Sequence, residues 1–434
     1  MSAIIDYVKD KKILILGLGR EGKSTYAYLR KHLPEKHLTI ADKAEVSVGN
    51  DTNVSYICGD DFLSCLPDFD IVFKSPGIAF LEENMYPDTT EITCQTDMFL
   101  RFCKPKTVGI TGSKGKTTTS TLIYEMLKAS GKKCCLIGNI GVPVLEMADE
   151  GEDMTAVIEM SSHQLEFTKA SPHVAVLLNI HEEHLDHYRT GFSGYMNAKL
   201  NIARHQTEND FFVFDGDEKL FKEFLENENP KGIRKPVTAQ YAAENEFINE
   251  LWHSTEHLKG EHNRLDIAFA VTAARLCGAD DDAIRRAIKE FSGIEHRMEL
   301  VGTFDGVTYY NDSIATIPTA VEGAIKALGK VNTLIFGGLD RGIDYSEFIE
   351  FLKNSDIENL IGLPETGHKI NGALKGSKKT LINAENMEDA VNNAARLTKK
   401  GKICLFSPAA ASYNYYKNFE EKGRHFKSLV KKTI

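Results

Sequence analysis

Several things this chain lacks narrow what it can be. It has no CxxC pair: its eight cysteines are scattered, and only Cys134 and Cys135 are adjacent. Neither a zinc site nor a disulfide framework is indicated, and scattered thiols fit a reducing, cytoplasmic setting. A basic excess is also missing. The formal net charge is −10, which argues against nucleic acid or an anionic membrane as the main partner. No apolar run reaches the roughly 18 residues of a spanning helix. The early stretch KKILILGLG is too short and too glycine-rich for a signal segment, and reads as a buried strand. No internal repeat is found. What remains is 434 residues, 42% hydrophobic and 26% charged, the composition of two or three soluble domains with buried cores. An anionic small ligand would have to be met by local groups such as Lys116.

Strand and helix patterns alternate along the chain, which predicts an α/β fold. A first block has strands at 13–16, 38–41 and 71–73 and a helix over 24–32. It ends near the polar linker Lys104-Pro105-Lys106. A second opens with a strand at 107–110 and a helix over 117–128, followed by strands at 156–159 and 174–179 and a long helix from about 258. A break near 293–297 suggests a second linker. The third block has strands at 307–310, 333–336, 360–362 and 403–406.

Two glycine loops follow the first strands of the first two blocks. GLGREG at 17–22 fits G-x-G-x-x-G, with Asp42 twenty residues beyond Gly22. Such glycines let a backbone approach a pyrophosphate at a helix N-terminus. A tight turn that binds nothing, an NAD site and a site for another diphosphate all fit this motif. TGSKGKTTT at 111–119 is more specific. It follows an apolar strand and opens a helix, so Lys116 would reach terminal phosphates and Thr117 would face Mg²⁺. ATP is therefore expected at the second loop and another diphosphate at the first.

Further candidates lie at strand ends. Glu159 closes an apolar strand and is a possible Mg²⁺ ligand or a helix-capping carboxylate. The heptad His181–His187, HEEHLDH, follows another strand and looks like a metal site; a solvated polar loop is the bland alternative. Lys199, in NAKL, reads as a surface lysine on physical grounds alone.

Taken together in order, these segments resemble the Mur ligases, and most closely the members that add D-glutamate to UDP-N-acetylmuramoyl-L-alanine. The likeness runs through GLGREG, SPGI, TGSKGKTTT, GNIGVP, EMSSHQLE, HEEHLDHY, NAKL, GEHN, EHR, NDSIAT, GGLDRG and SPAAASYNYYKNFEEKGRHF. It implies three α/β domains. A Rossmann-like UDP-substrate domain would span 1–105, and a P-loop ATPase-type domain with a parallel sheet 106–297. A Rossmann-like amino-acid domain would span 298–434. It also implies ATP and Mg²⁺ as cofactors, with two ions and a carbamylated Lys199, small-molecule substrates, and a monomer.

Residue roles follow from the same resemblance. Lys116, His184 and Lys199 would be catalytic. Gly112, Ser113, Lys114, Gly115, Lys116, Thr117, Thr118, Asn263, Arg297 and Asp312 would hold ATP, and Thr117, Glu159, His184 and Lys199 the metal. Gly19, Arg20, Asp42, Lys43, Ser75, Gly77 and Asn139 would meet the UDP substrate, and Thr316, Arg341, Ser412 and Phe419 D-glutamate. Ile314 stands where many relatives carry lysine, Asp266 where asparagine is common, and Arg341 where some carry lysine. A guanidinium can fork onto a carboxylate, so the last change is compatible with function. Separate nucleotide and amino-acid sites imply domain closure during the reaction. Rival expectations are another amide ligase of the same superfamily, an NAD-dependent oxidoreductase using GLGREG, and a nucleotide switch without chemistry.

Overall fold

Seventeen strands form three sheets in the computed structural model, which describes residues 2–433 apart from Asn84, Glu256, Lys259, Arg341, Tyr413 and Asn414. Residues Met1–Phe291 pack as one compact unit and Ser292–Ile434 as another.

The first unit holds two parallel sheets. One contains β1 (Ile13–Leu16), β2 (Leu38–Asp42), β3 (Val54–Cys58), β4 (Ile71–Lys74) and β5 (Glu91–Thr93), in the order β3-β2-β1-β4-β5. The other contains β6 (Lys106–Thr111), β7 (Cys134–Gly138), β8 (Thr155–Glu159), β9 (Val174–Leu177), β10 (Phe211–Asp215) and β11 (Ile233–Val237), in the order β11-β10-β9-β6-β8-β7. The central strands are fully apolar and fully buried: ILIL in β1 and VAVL in β9. That is the pattern of parallel strands covered by helices on both faces. One buried cluster runs from Ile13, Ile15 and Phe73 through Met98, Phe99 and Leu145 to Ile158 and Leu177. Both sheets thus share a core, which is why Met1–Phe291 packs as one body.

Chain order reverses beside β1 in the first sheet and beside β6 in the second. In open α/β sheets ligands bind at such switch points, outside the carboxyl ends of the strands. GLGREG leaves β1 and TGSKGKTTT leaves β6, so both loops fall there.

The second unit has one mixed sheet: β12 (Glu299–Phe304), β13 (Val307–Asn311), β14 (Val331–Phe336), β15 (Asn359–Gly362), β16 (Thr380–Asn383) and β17 (Ile403–Phe406), ordered β12-β13-β17-β14-β15-β16. All neighbours are parallel except β12 and β13, an antiparallel hairpin at the edge. The sequence pattern did not predict β12. Its burial alternates weakly and ELVGTF carries a glycine where the register shifts.

Gly22 shows how tightly the first loop is built. It lies in the helix Arg20–His32, and a methyl group there would sit 1.9 Å from the Gly17 carbonyl oxygen. Close helix–strand approach, not a special dihedral, requires this glycine. Gly22→Ala is expected to cost about 1–3 kcal/mol of stability, as overpacking does. Urea unfolding with an unchanged midpoint would show that the turn yields without strain.

Candidate functional site

The first loop and its neighbours enclose a cavity of about 380 Å³. Gly19, Arg20, Asp42, Lys43, Ser75, Gly77 and Asn139 all line it, so the structure gathers the whole set named for the UDP substrate. Backbone geometry explains the gathering. Gly17 adopts φ 87° and its N–H donates to Ala41 O at 2.7 Å. Ser75 ties the loops together, its N–H to Leu16 O at 2.8 Å and its hydroxyl to Gly17 O at 2.7 Å. Asp42 accepts from Leu18 N at 2.7 Å and from Ala44 N at 3.0 Å. One carboxylate oxygen therefore braces the glycine loop and the other caps the turn that follows β2. Arg20 reaches across to the carbonyl of Gly141, in the turn that follows β7.

Beneath this cavity lies a buried polar seam that the sequence did not reveal. Lys74 pairs with Glu166 at 3.2 Å, and Glu166 with His187 Nε2 at 3.2 Å. Gln164 donates to Glu21 at 2.6 Å, and burial raises the Glu21 carboxyl above its usual range. These contacts join SPGI and GLGREG to the segment EMSSHQLE. The heptad 181–187 accordingly does not behave as one cluster. His187 is buried in the seam, whereas His184 is exposed and takes φ 54°. The His163 ring lies 3.9 Å from that of His187 and 5.0 Å from that of His184. Burial, then the neighbouring histidines, hold His163 down at about 3, so it is neutral at physiological pH.

The second loop is a carbonyl-rich turn. Gly115 takes φ 83° at the N-cap of the helix Lys116–Ala129, and a methyl group there would meet Asp266 Oδ1 at 2.5 Å. Thr117 and Thr118 are buried in the first turn. Ser113 is occupied in holding the loop: its hydroxyl contacts His181 and lies 2.7 Å from Tyr195 OH. Lys114 N donates to Asn179 Oδ1 at 2.8 Å, and the Lys114 ammonium pairs with Glu183. Lys116 Nζ donates to Gly112 O at 2.8 Å and Ser113 O at 2.9 Å. Asn263 sits in the first turn of the helix Glu261–Leu276.

Lys199 is not the surface lysine that its tetrapeptide suggested. It is 1% exposed, and its Nζ donates to Gly112 O at 2.8 Å and lies 4.8 Å from the Tyr195 ring centroid. Burial, then the charge of Lys116, hold its amine well below the usual lysine range. Glu159 is equally buried; Asn139 Nδ2 donates to its Oε1 at 2.7 Å. Its Oε2 has no hydrogen-bond partner among the described residues. A buried carboxylate oxygen left open in this way fits a hard cation. A tight His–carboxylate group does occur elsewhere, Glu295–His296–Glu299 in the second unit. Lys427 already stands 2.8 Å from Glu295 and 2.7 Å from Glu299, so that group is an ion-pair network.

In the second unit, Arg297 is exposed and Asp312 buried. Asp312 accepts from Ser407 Oγ at 2.7 Å and Met298 N at 3.1 Å. Burial nevertheless pushes it up to about 6. Ser412 is buried, and its hydroxyl has no partner among the described residues. Phe419 opens the C-terminal helix Phe419–Thr433, and Thr316 lies in the loop after β13. Arg341 falls outside the described residues. Because the folded Asp312 titrates above its unfolded value, its contribution to stability is full below about pH 4. It is lost as the pH rises through about 6. Asp312→Asn is expected to gain on the wild type by up to about 3 kcal/mol over that interval. A pH-independent difference in urea unfolding would refute this.

The comparisons with known proteins agree with one another. The Mur ligase middle domain matches residues 110–275, and the Mur ligase glutamate ligase domain matches residues 296–410. The UDP-N-acetylmuramoylalanine--D-glutamate ligase of Acetivibrio thermocellus is 34% identical, covering 98% of this chain and 97% of its own. That of Geobacillus kaustophilus is 34% identical and covers 98% of both. Among solved structures, the MurF ligase of Thermotoga maritima in complex with ADP superposes with a TM-score of 0.54 at 17% identity, covering 97% and 95% of the two chains. The UDP-N-acetylmuramate-alanine ligase of the same organism gives 0.55 at 15%, covering 98% and 100%. These two share the fold. With a third of its residues identical to curated relatives over nearly its full length, the chain belongs to the Mur ligase family.

Proposed function

We propose that this chain is an ATP-dependent ligase that adds D-glutamate to UDP-N-acetylmuramoyl-L-alanine in peptidoglycan precursor synthesis. The observation that carries the reading is Asn139. It lines the cavity of the first loop and donates to Glu159, one strand from the second loop. The cavity of the first loop and the carboxylate one strand from the second loop thus meet at one residue within one unit, as a transfer between two bound phosphorylated compounds requires. An NAD-dependent oxidoreductase leaves the second loop without a role. The curated relatives carry the D-glutamate name, which favours this acid over other amino acids.

A carboxylate is a poor electrophile, so the γ-phosphoryl group of ATP first passes to the substrate carboxylate, giving an acyl phosphate and ADP. The amine of D-glutamate then attacks the acyl carbon; the C–N bond forms, phosphate leaves, and the amine loses a proton. Lys116 would move from the Gly112 and Ser113 carbonyls onto the transferring phosphoryl oxygens and stabilise their charge. Gly115 lets the backbone amides approach the phosphates. Glu159, His184, Thr117 and a carbamylated Lys199 would hold Mg²⁺, probed most simply by titration. When bound, that ion neutralises phosphate charge and polarises the P–O bond. The open oxygen of Glu159 and the depressed amine of Lys199 support this assignment, because only a neutral amine reacts with CO₂. Arg297, Asp312 and Asn263 would meet the nucleotide, and Thr316, Ser412, Phe419 and Arg341 the glutamate. The functional division 1–105, 106–297 and 298–434, a monomeric state and a cytoplasmic location complete the proposal. No helix of the described residues is long and apolar enough to cross a membrane.

The primary test is phosphate release from ATP. It is expected only when UDP-N-acetylmuramoyl-L-alanine and D-glutamate are both present. Release with the acceptor and another amino acid, but not D-glutamate, would replace the assignment by another ligase specificity. Lys116→Ala is expected to lose about 10²–10³ in turnover, the effect of removing one strong transition-state donor; near-normal turnover would remove Lys116 from the chemistry.

Lys199→Ala supplies a separate test of the carbamate. The variant is expected to be nearly inactive and partly restored by a short carboxylic acid, which supplies an anion in the vacated space. Full activity of the variant in CO₂-depleted buffer would assign Lys199 a packing role.

A further inference from the structure

A second cavity, of about 290 Å³, lies in the second unit at the carboxyl ends of β14, β15 and β16. It holds several times the roughly 30 Å³ that one water occupies in the liquid. Thr316, Ser412 and Phe419 do not line it. Its floor is Lys422, 2% exposed, with Gly338 beside it; a methyl group on Gly338 would sit 3.0 Å from the Lys422 Nζ. The ammonium has three N–H donors but, among the described residues, donates to one acceptor, Gly337 O at 2.9 Å. Its other contact is the Phe406 ring, 5.8 Å from the centroid. No carboxylate pairs with it among the described residues. Burial alone pulls its amine down to about 7.

The opposite charge stands at the mouth. Glu385 and Glu388 line the cavity and are exposed, with Asn386 between them. Tyr416 and His425, joined by a 2.8 Å hydrogen bond, close one side, and Leu363 and Met387 are apolar wall. A cation at the floor and carboxylates at the rim match a zwitterion that enters carboxylate first.

We propose that this cavity is a second small-carboxylate site, with a free amino acid as its ligand class. It is separate from the residues assigned above to D-glutamate in the reaction. Lys422 binds the carboxylate and the rim acids face the ammonium. Because Lys422 also holds the Gly337 carbonyl, occupancy bears on the backbone that leads from β14 toward residue 341. The inference goes beyond the ligase reading and does not depend on it, since it concerns binding to the free protein.

The test is calorimetry on the full chain, without nucleotide or acceptor, using D-glutamate and glutarate, which lacks the ammonium. Both are expected to bind the wild type. Lys422→Met should fold, because it removes a buried charge that has no counter-ion; melting checks this. It is expected to weaken both ligands by about tenfold or more, the loss of a charged hydrogen bond. The exposed change Glu388→Lys is expected to weaken D-glutamate and leave glutarate as tight or tighter, whatever the fate of the first variant. Wild-type protein that binds neither probe, or a Lys422→Met variant that binds both normally, would overturn the proposal. Turnover measured on the same preparations separates the two readings. Turnover without this binding removes the second site alone, and Lys422-dependent binding without turnover removes the ligase reading alone.

Discussion

The hydrogen bond from Asn139 to Glu159 is the contact on which the arrangement of the candidate site depends. It occupies one oxygen of a buried carboxylate and leaves the other open. Neither residue could sit there without parallel strands. β7 and β8 are neighbours in register, Gly138 opposite Glu159, so both end at the same edge of the sheet. Gly138 then turns with φ 104°, where a side chain would strike the Glu159 carbonyl. The turn delivers Asn139 to the cavity of the first sheet while its amide still reaches back. The bond therefore ties the wall of the first loop's cavity to the carboxylate that ends β8, above the apolar core that the two sheets share.

Much of this was legible in the sequence because it is local. Strands such as ILIL are apolar runs bounded by glycine, and each loop follows its strand directly. The predicted strand at 13–16 and the helix near 117–128 differ from the structure by at most a residue at either end. Strands such as Ile233–Val237 were missed for an equally local reason: IRKPV is an edge strand, mostly exposed, with proline in it. Its pairing to β10 comes from tertiary context that no local pattern encodes.

What stayed hidden was burial of charge. Nothing in NAKL separates a surface lysine from Lys199, which is enclosed because the helix Phe192–Arg204 packs it against the Gly112 loop. The same holds for the Lys74–Glu166–His187 seam, whose members are distant in sequence and meet only once the two sheets of the first unit pack together. Asp42 illustrates the opposite error of over-reading. Its spacing after GLGREG suggests a ribose contact, yet both of its oxygens already accept backbone N–H groups, one from Leu18 of the loop and one from Ala44 beyond β2. Its demonstrable work is to shape the cavity, and a ligand contact would be added to that.

Three lysines of the described residues are buried, and they show how this fold handles a cation out of water. Lys74 is answered by a full charge, Glu166. Lys199 is answered by loop carbonyl and hydroxyl oxygens and an aromatic face, which solvate an amine but do not neutralise an ammonium. Its proton is therefore readily given up, which is what a reaction with CO₂ needs. Lys422 has least among the described residues: one carbonyl, a distant ring and an adjoining cavity. Desolvating an ion without a partner is among the costliest things a core can do. Apolar side chains of similar length would fill the same space at less cost. A lysine there, facing space rather than packed against apolar atoms, is most simply explained if its counter-charge arrives from outside the chain.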